Sequence, residues 1–156
     1  MMVQRTRAQP PSRPVKLHSA TDDDAAALAE LYRTAWNDPD EDEARVQRWL
    51  GDGGVLSFVC AGTFLSALRW REAPYGWEVG RLATLPEYRG QGFGRWLTTR
   101  LEALAIQHNI PELRLTLTEA QTELLPYYTR MGYHAADPET PLSLSKRVGG
   151  VWQRQG

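Results

Sequence analysis

Cysteine is nearly absent from this sequence: Cys60 is the only one in 156 residues. That excludes an internal disulfide framework and fits a reducing, cytoplasmic compartment. Cys60 lies in an apolar run without an electropositive neighbour, so it reads as a buried structural thiol rather than a nucleophile. Histidine is scarce too, and His18, His108 and His134 show no metal-ligand spacing, so no metal is expected. An excess of one charge sign is also missing. Lys plus Arg number 18 against 19 for Asp plus Glu, a formal net charge of -1. Without a basic surplus, neither nucleic acid nor an anionic membrane is an expected partner. No apolar run approaches the length that spans a bilayer. The basic residues between Met1 and Pro14 have no apolar stretch behind them, which excludes a secretory signal. Residues 1–14 are therefore expected to be a flexible extension. No repeat or linker divides the remaining chain, so one domain is expected over residues 15–148, with a tail at 149–156.

What is present suits a soluble globular chain long enough to bury a core: 42% hydrophobic and 24% charged residues. Val15 to His18 alternates as a first strand. Thr21 then caps a helix, with Asp24 in capping-box position and Ala25, Leu28, Leu31, Tyr32, Ala35 and Trp36 on one apolar stripe. Asp38 is expected to cap a second helix, with Pro39 in its first turn, Glu41 completing a box, and Val46, Trp49 and Leu50 facing inward. Three strands come next: Val55 to Ala61, Phe64 to Arg71 after a turn at Gly62-Thr63, and Trp77 to Leu85. A glycine-rich segment, Arg89 to Gly94, opens a helix faced by Phe93, Trp96, Leu97, Leu101, Leu104 and Ala105. The strand Leu113 to Leu117 succeeds a helical crossover and is expected to run parallel to the strand before it. Pro126 belongs in the first turn of the next helix, where a missing N–H loses no partner. That helix is expected to start near Thr122 and end at Gly132. Pro141 to Val148 closes the chain, with one further strand possible at Tyr133 to Ala136. The order β-α-α-β-β-β-α-β-α-β specifies a mixed α/β sheet.

The segment Arg89-Gly90-Gln91-Gly92-Phe93-Gly94 joins a strand to a helix. Glycines let backbone amides approach a ligand closely, and a helix N-terminus carries about half a positive charge. Together they make an anion site, most often for phosphate. The alternative is a tight turn and nothing more. A dinucleotide fingerprint fails because Arg95 stands where its third glycine belongs, and no Gly-Lys-Ser/Thr ending supports a P-loop. A nucleotide-binding protein of another kind remains a third reading.

From Glu78 to Gly94 the sequence resembles the main signature of the GNAT superfamily of acyl-CoA N-acyltransferases. Its core, Gln/Arg-x-x-Gly-x-Gly/Ala, is met by Arg89, Gly92 and Gly94. A second family element also matches downstream: a strand, then a helix ending in Tyr-x-x-x-Gly-aromatic, here Tyr128, Gly132 and Tyr133. The resemblance covers roughly residues 15–148, and the element order fits the same fold.

The resemblance implies acetyl-CoA, or coenzyme A, as the donor. Arg89, Gly90, Gln91, Gly92, Phe93, Gly94 and Arg95 would hold the pyrophosphate through backbone amides. Leu82, Ala83 and Thr84 would pair their backbone with the pantetheine arm, a strand-like recognition. Many members carry Asn where this chain has Gln121, which is implied to contact pantetheine through a side chain of different reach. Tyr128 matches the family's general acid, whose neutral phenol protonates the departing thiolate; the alternative is an aromatic core residue. Glu78 matches the strand position of a glutamate base in some members, against the alternative of a strand residue paired with Arg81 or Arg71. A backbone N–H near Leu82 or Ala83 would meet the oxyanion. The acidic run Asp38 to Glu43 reads as a solvated helix start or as an attractor for a cationic amine. The implied activity is direct transfer of an acetyl group to a primary amine in a ternary complex, by a monomer or homodimer. The alternative is a non-catalytic acyl-CoA-binding sensor or partner module on the same fold.

Overall fold

The computed structural model describes residues 13–149. The expected extension up to residue 12 and the tail from residue 150 lie outside the described residues. Among these, seven strands form one mixed sheet in the order β1-β2-β3-β4-β5-β7-β6. The strands are β1 (Val15–Ser19), β2 (Gly53–Cys60), β3 (Thr63–Ala73), β4 (Gly76–Thr84), β5 (Glu112–Thr116), β6 (His134–Asp137) and β7 (Thr140–Arg147). The helices are α1 (Ala25–Trp36), α2 (Glu43–Asp52), α3 (Phe93–Gln107) and α4 (Leu125–Arg130). The expected mixed α/β class is therefore found, including the parallel pairing of β4 with β5 at Trp77↔Leu113 and Glu78↔Arg114. The optional strand after Gly132 is real and pairs antiparallel with β7.

Contacts divide the chain into two compact units. The first takes the described residues up to Arg69 together with Arg81–Thr99. Its core gathers Leu28, Leu31 and Tyr32 of α1, Val46 and Trp49 of α2, and Val55, Phe64, Ala67 and Ala83 of the strands. β1 and β2 pair antiparallel from Val15↔Cys60 to Ser19↔Leu56. The β2–β3 turn is Ala61-Gly62, one residue earlier than expected, with both residues at positive φ (50° and 83°). That geometry matches the right-handed twist of a hairpin.

Two further expectations in this unit need correction. α2 is capped by Asp42, not Asp38: Asp42 has extended backbone and its Oδ1 accepts from the Arg45 amide at 2.8 Å. Asp38 instead turns its carboxylate onto the Asp40 amide at 3.0 Å, just after Asn37 has ended α1 in the left-handed conformation. A side chain that captures a nearby backbone amide offers the chain an alternative to helix, which delays α2 by one turn. Cys60, expected to be buried, is only half-buried at the end of β2, where its thiol donates to the Arg13 carbonyl at 3.6 Å.

The second unit takes Trp70–Gly80 and the residues from Arg100 onward. Here β5 pairs antiparallel with β7 from Glu112↔Arg147 to Thr116↔Ser143, with Leu113 and Leu144 buried. Trp70 and Trp77 stack at 4.0 Å between ring centroids. Gly76 cannot carry a side chain. A Cβ there would lie 2.1 Å from the Glu112 carbonyl oxygen, and its φ is +145°. Pro126 falls in the first turn of α4, as expected, although the preceding turn from Glu119 to Leu124 is a 3-10 segment rather than α-helix.

Candidate functional site

In the first unit, the run from Leu82 to Arg95 behaves as a shaped backbone. β4 ends at Thr84, and a 3-10 turn at Pro86–Tyr88 leads to the glycine segment. Gly90 and Gly92 have φ of 78° and 87°, a region that L side chains rarely enter, so these two positions demand glycine. Gly94 serves a different end. A Cβ on it would sit 2.9 Å from Leu82 Cδ2, so its absence lets α3 start against the strand. The first α-helical bond runs from the Trp96 amide to the Gly92 carbonyl at 2.9 Å. The amides of the first helical turn thus lack intrahelical acceptors and form the positive end of α3. Phe93 anchors this turn, buried against Phe58 at 5.7 Å.

Arg89 does not project as an unattached cation. Its Nη2 donates to the Ala35 carbonyl at 2.5 Å and its Nε to the Thr84 carbonyl at 3.2 Å, tying the glycine segment to α1 and β4. The three strand residues expected to face pantetheine are also engaged through their carbonyls. Leu82 accepts from Trp36 Nε1 at 3.1 Å, Ala83 from Ser66 Oγ at 2.9 Å, and Thr84 from Arg89.

In the second unit, Tyr128 is 5% exposed on α4, edge-on to Tyr127 and Tyr133 at 5.0 and 5.7 Å. Burial, with a smaller contribution from Tyr127, pushes its phenol up to about 12, so it stays protonated at neutral pH. Gly132 at φ 98° ends the helix, and the Tyr133 amide returns to the Tyr128 carbonyl at 3.0 Å. Glu78 lies 2.6 Å from Arg71 Nε with both side chains near half exposure. Of the two readings open for Glu78, this is the ion-paired one. Gln121 turns its amide oxygen onto the Thr118 amide at 3.0 Å, completing a capping box.

The sequence matches the family model described as the acetyltransferase (GNAT) family over residues 15–133. The chain belongs to the GNAT acetyltransferase family. An acetyltransferase of Yersinia pestis (strain Pestoides F) is 28% identical over 115 residues, covering 72% of this chain and 77% of that protein. Among solved structures, the ribosomal-protein-S18-alanine N-acetyltransferase of Escherichia coli superposes with a TM-score of 0.74 at 14% identity, over 87% of this chain and 95% of that one. The PaiA N-acetyltransferase of Thermoplasma acidophilum, solved with coenzyme A, gives 0.73 at 16% identity, over 86% and 99%. Both likenesses are of fold. No helix among the described residues is long and apolar enough to cross a membrane.

Sequence reasoning about this GNAT chain missed one constellation. Arg81 adopts φ 54°, left-handed for a non-glycine residue in mid-strand. Its guanidinium lies over Trp49, Trp36 and Tyr32 at 4.1, 4.4 and 5.2 Å from the ring centroids, and it donates to the buried carboxylate of Glu41. Burial pulls Arg81 below its ordinary value, opposed by Glu41. Glu41 thus leaves the role of a helix-start acid. Trp36, read as core, is 38% exposed and acts as the donor to Leu82. The only advance signal was an arginine set among Val79, Gly80, Leu82 and Ala83.

Proposed function

We propose that this GNAT protein is an acetyl-CoA-dependent N-acetyltransferase that passes the acetyl group directly to a primary amine in a ternary complex. The observation that carries the reading is the junction after β4. Gly90 and Gly92 bend into left-handed backbone while Gly94 lets the positive end of α3 start against Leu82. Backbone amides gathered at such a helix start suit a diphosphate, and the neighbouring strand backbone suits the two amides of pantetheine.

In the proposed reaction the neutral amine attacks the thioester carbonyl carbon, and its oxygen becomes an oxyanion held by a backbone N–H near Leu82 or Ala83. Collapse breaks the C–S bond, and the thiolate takes the phenolic proton of Tyr128, which solvent then restores. The proton lost by the amine goes to water. Glu78 is the less favoured acceptor, because its carboxylate already holds Arg71. Cys60, half-buried at a strand end, offers no nucleophile for an acyl-enzyme. Acceptors ranging from polyamines to peptide N-termini suit the same chemistry, since acceptor choice resides in variable loops.

A coenzyme A-release assay across an amine panel, with the product checked by mass spectrometry, tests the proposal. Release with a stoichiometric gain of one acetyl group on an amine supports it. Tight coenzyme A uptake with no transfer to any amine would move the chain to the binding-module alternative.

A further inference from the structure

We infer that Arg81 and Glu41 form a positioning pair that holds the left-handed turn in β4 and so aims the Leu82–Thr84 backbone at acetyl-CoA. The inference rests on the proposed acetyl-CoA-dependent function and names residues that act through the strand rather than on the donor itself.

The starting point is a conformational cost. Arg81 sits at φ 54° in the middle of a strand, where glycine is the usual occupant and any Cβ is unfavourable. A single left-handed residue redirects the chain, as in a β-bulge, so the amides after it no longer continue the ladder before it. Something must over-determine that conformation, and the side chain of the strained residue itself does so. Its guanidinium is enclosed by Trp49, Trp36 and Tyr32 and paired with Glu41, whose side chain is fully buried. Glu41 is fixed in turn from two sides. Arg33 Nη1 donates to its carbonyl at 2.7 Å, and the next residue, Asp42, is the cap of α2.

A second tie falls on the adjacent strand residue, because Trp36 Nε1 donates to Leu82 O. The end of α1 and the segment that follows it therefore grip β4 at two consecutive residues, Arg81 and Leu82, where the backbone proposed for the donor begins. A buried ion pair is a weak stabiliser but an effective register device, since it tolerates few geometries. A planar guanidinium stacked on rings while hydrogen-bonded to a carboxylate suits that task better than an ammonium.

The test compares two double variants of the full chain that differ by one Cβ, Glu41→Gln/Arg81→Gly and Glu41→Gln/Arg81→Ala. Both remove the pair without leaving a buried charge, but only glycine adopts the turn freely. The glycine version should bind coenzyme A within about threefold of wild type by calorimetry, and the alanine version about tenfold more weakly. Amide exchange supplies an arm that needs no ligand. The Leu85 amide, which donates to the Leu65 carbonyl at 2.8 Å, should exchange about tenfold faster in the alanine version while α3 is unchanged. If either double variant fails to fold, the isosteric Glu41→Gln alone should speed Leu85 exchange in the same local manner. Equal affinity and equal exchange in the two double variants, or no local change in Glu41→Gln, overturns the pairing role. Wild type that takes up no coenzyme A defeats the proposed function instead, and the exchange arm still decides the pair.

Discussion

Each unit of the molecule ties a carboxylate into an ion pair, Glu41 fully buried in the first and Glu102 partly buried in the second, and the two are treated differently. In the second unit Glu102 has both oxygens engaged. Lys146 Nζ donates to Oε1 and Tyr133 Oη to Oε2, each at 2.9 Å. In the first unit Glu41 Oε2 pairs with Arg81, but Glu41 Oε1, Arg81 Nε and Tyr32 Oη have no hydrogen-bond partner among the described residues. The approach of Arg45 Nε to Oε1, at 3.8 Å, is an ion contact only. A fully satisfied network rigidifies its surroundings, whereas a partly satisfied one costs stability and persists where geometry is wanted for another reason. The Glu102 network frames Tyr133, the residue packed against Tyr128; the Glu41 network sits on the strained strand residue. One reads as support and the other as aim.

The sharpest separation of support from chemistry lies within the second unit. Tyr128→Phe keeps the ring and its contacts with Tyr127 and Tyr133 but removes the proposed proton donor. It should lower kcat by about 10²–10⁴-fold with little change in coenzyme A affinity or melting temperature. Steady-state kinetics beside calorimetry checks this, and unchanged turnover removes Tyr128 from the mechanism. Glu102→Ala should do the reverse. It strands Lys146 and Tyr133 Oη and should cost about 2 kcal/mol in urea unfolding, while the folded protein keeps its coenzyme A affinity. A loss of affinity at full stability would erase the distinction between support and aim.

In the first unit the effects should appear in binding. Gly92→Val places a β-branched residue at φ 87° and should weaken coenzyme A binding by about tenfold or more; intact affinity would contradict the loop assignment. Back in the second unit, Glu78→Gln is expected to change kcat by less than about threefold, since Arg71 already occupies the carboxylate. A loss in the general-base range of about 10²-fold would return Glu78 to the mechanism.

Much of this was legible in the sequence wherever local chemistry and fold agree. Pro126 could stand only in a first turn, and it does. The helical crossover into Leu113 to Leu117 pointed to a parallel strand, and β5 is parallel to β4. The glycine segment announced its own backbone. The acidic run did not. Asp38, Asp40, Glu41, Asp42 and Glu43 look alike as helix-start residues, yet Glu41 alone is buried, because its partner Arg81 lies 40 residues away. Long-range pairing leaves no periodic trace. Gln121 illustrates the opposite case: the Thr-x-x-Gln spacing with Thr118 is local and visible in sequence, and the side chain forms that cap.

The smallest expected effect is an absence with a definite range. Tyr128 is raised to about 12 by burial, so its acidic form is the one the fold favours. A group whose folded pKa lies above its unfolded value, about 10 for tyrosine, contributes stability that is full below pH 10 and lost as pH climbs toward 12. The same shift keeps the phenolic proton of the proposed donor in place. The kcat profile should therefore show no descending limb from this tyrosine up to about pH 10, even as rising pH frees more neutral amine. Measurement of kcat between pH 7 and 10 at saturating acetyl-CoA and amine checks it. A fall of more than about threefold by pH 9, absent in Tyr128→Phe, would mean that the phenol ionises in a wetter setting than its burial implies.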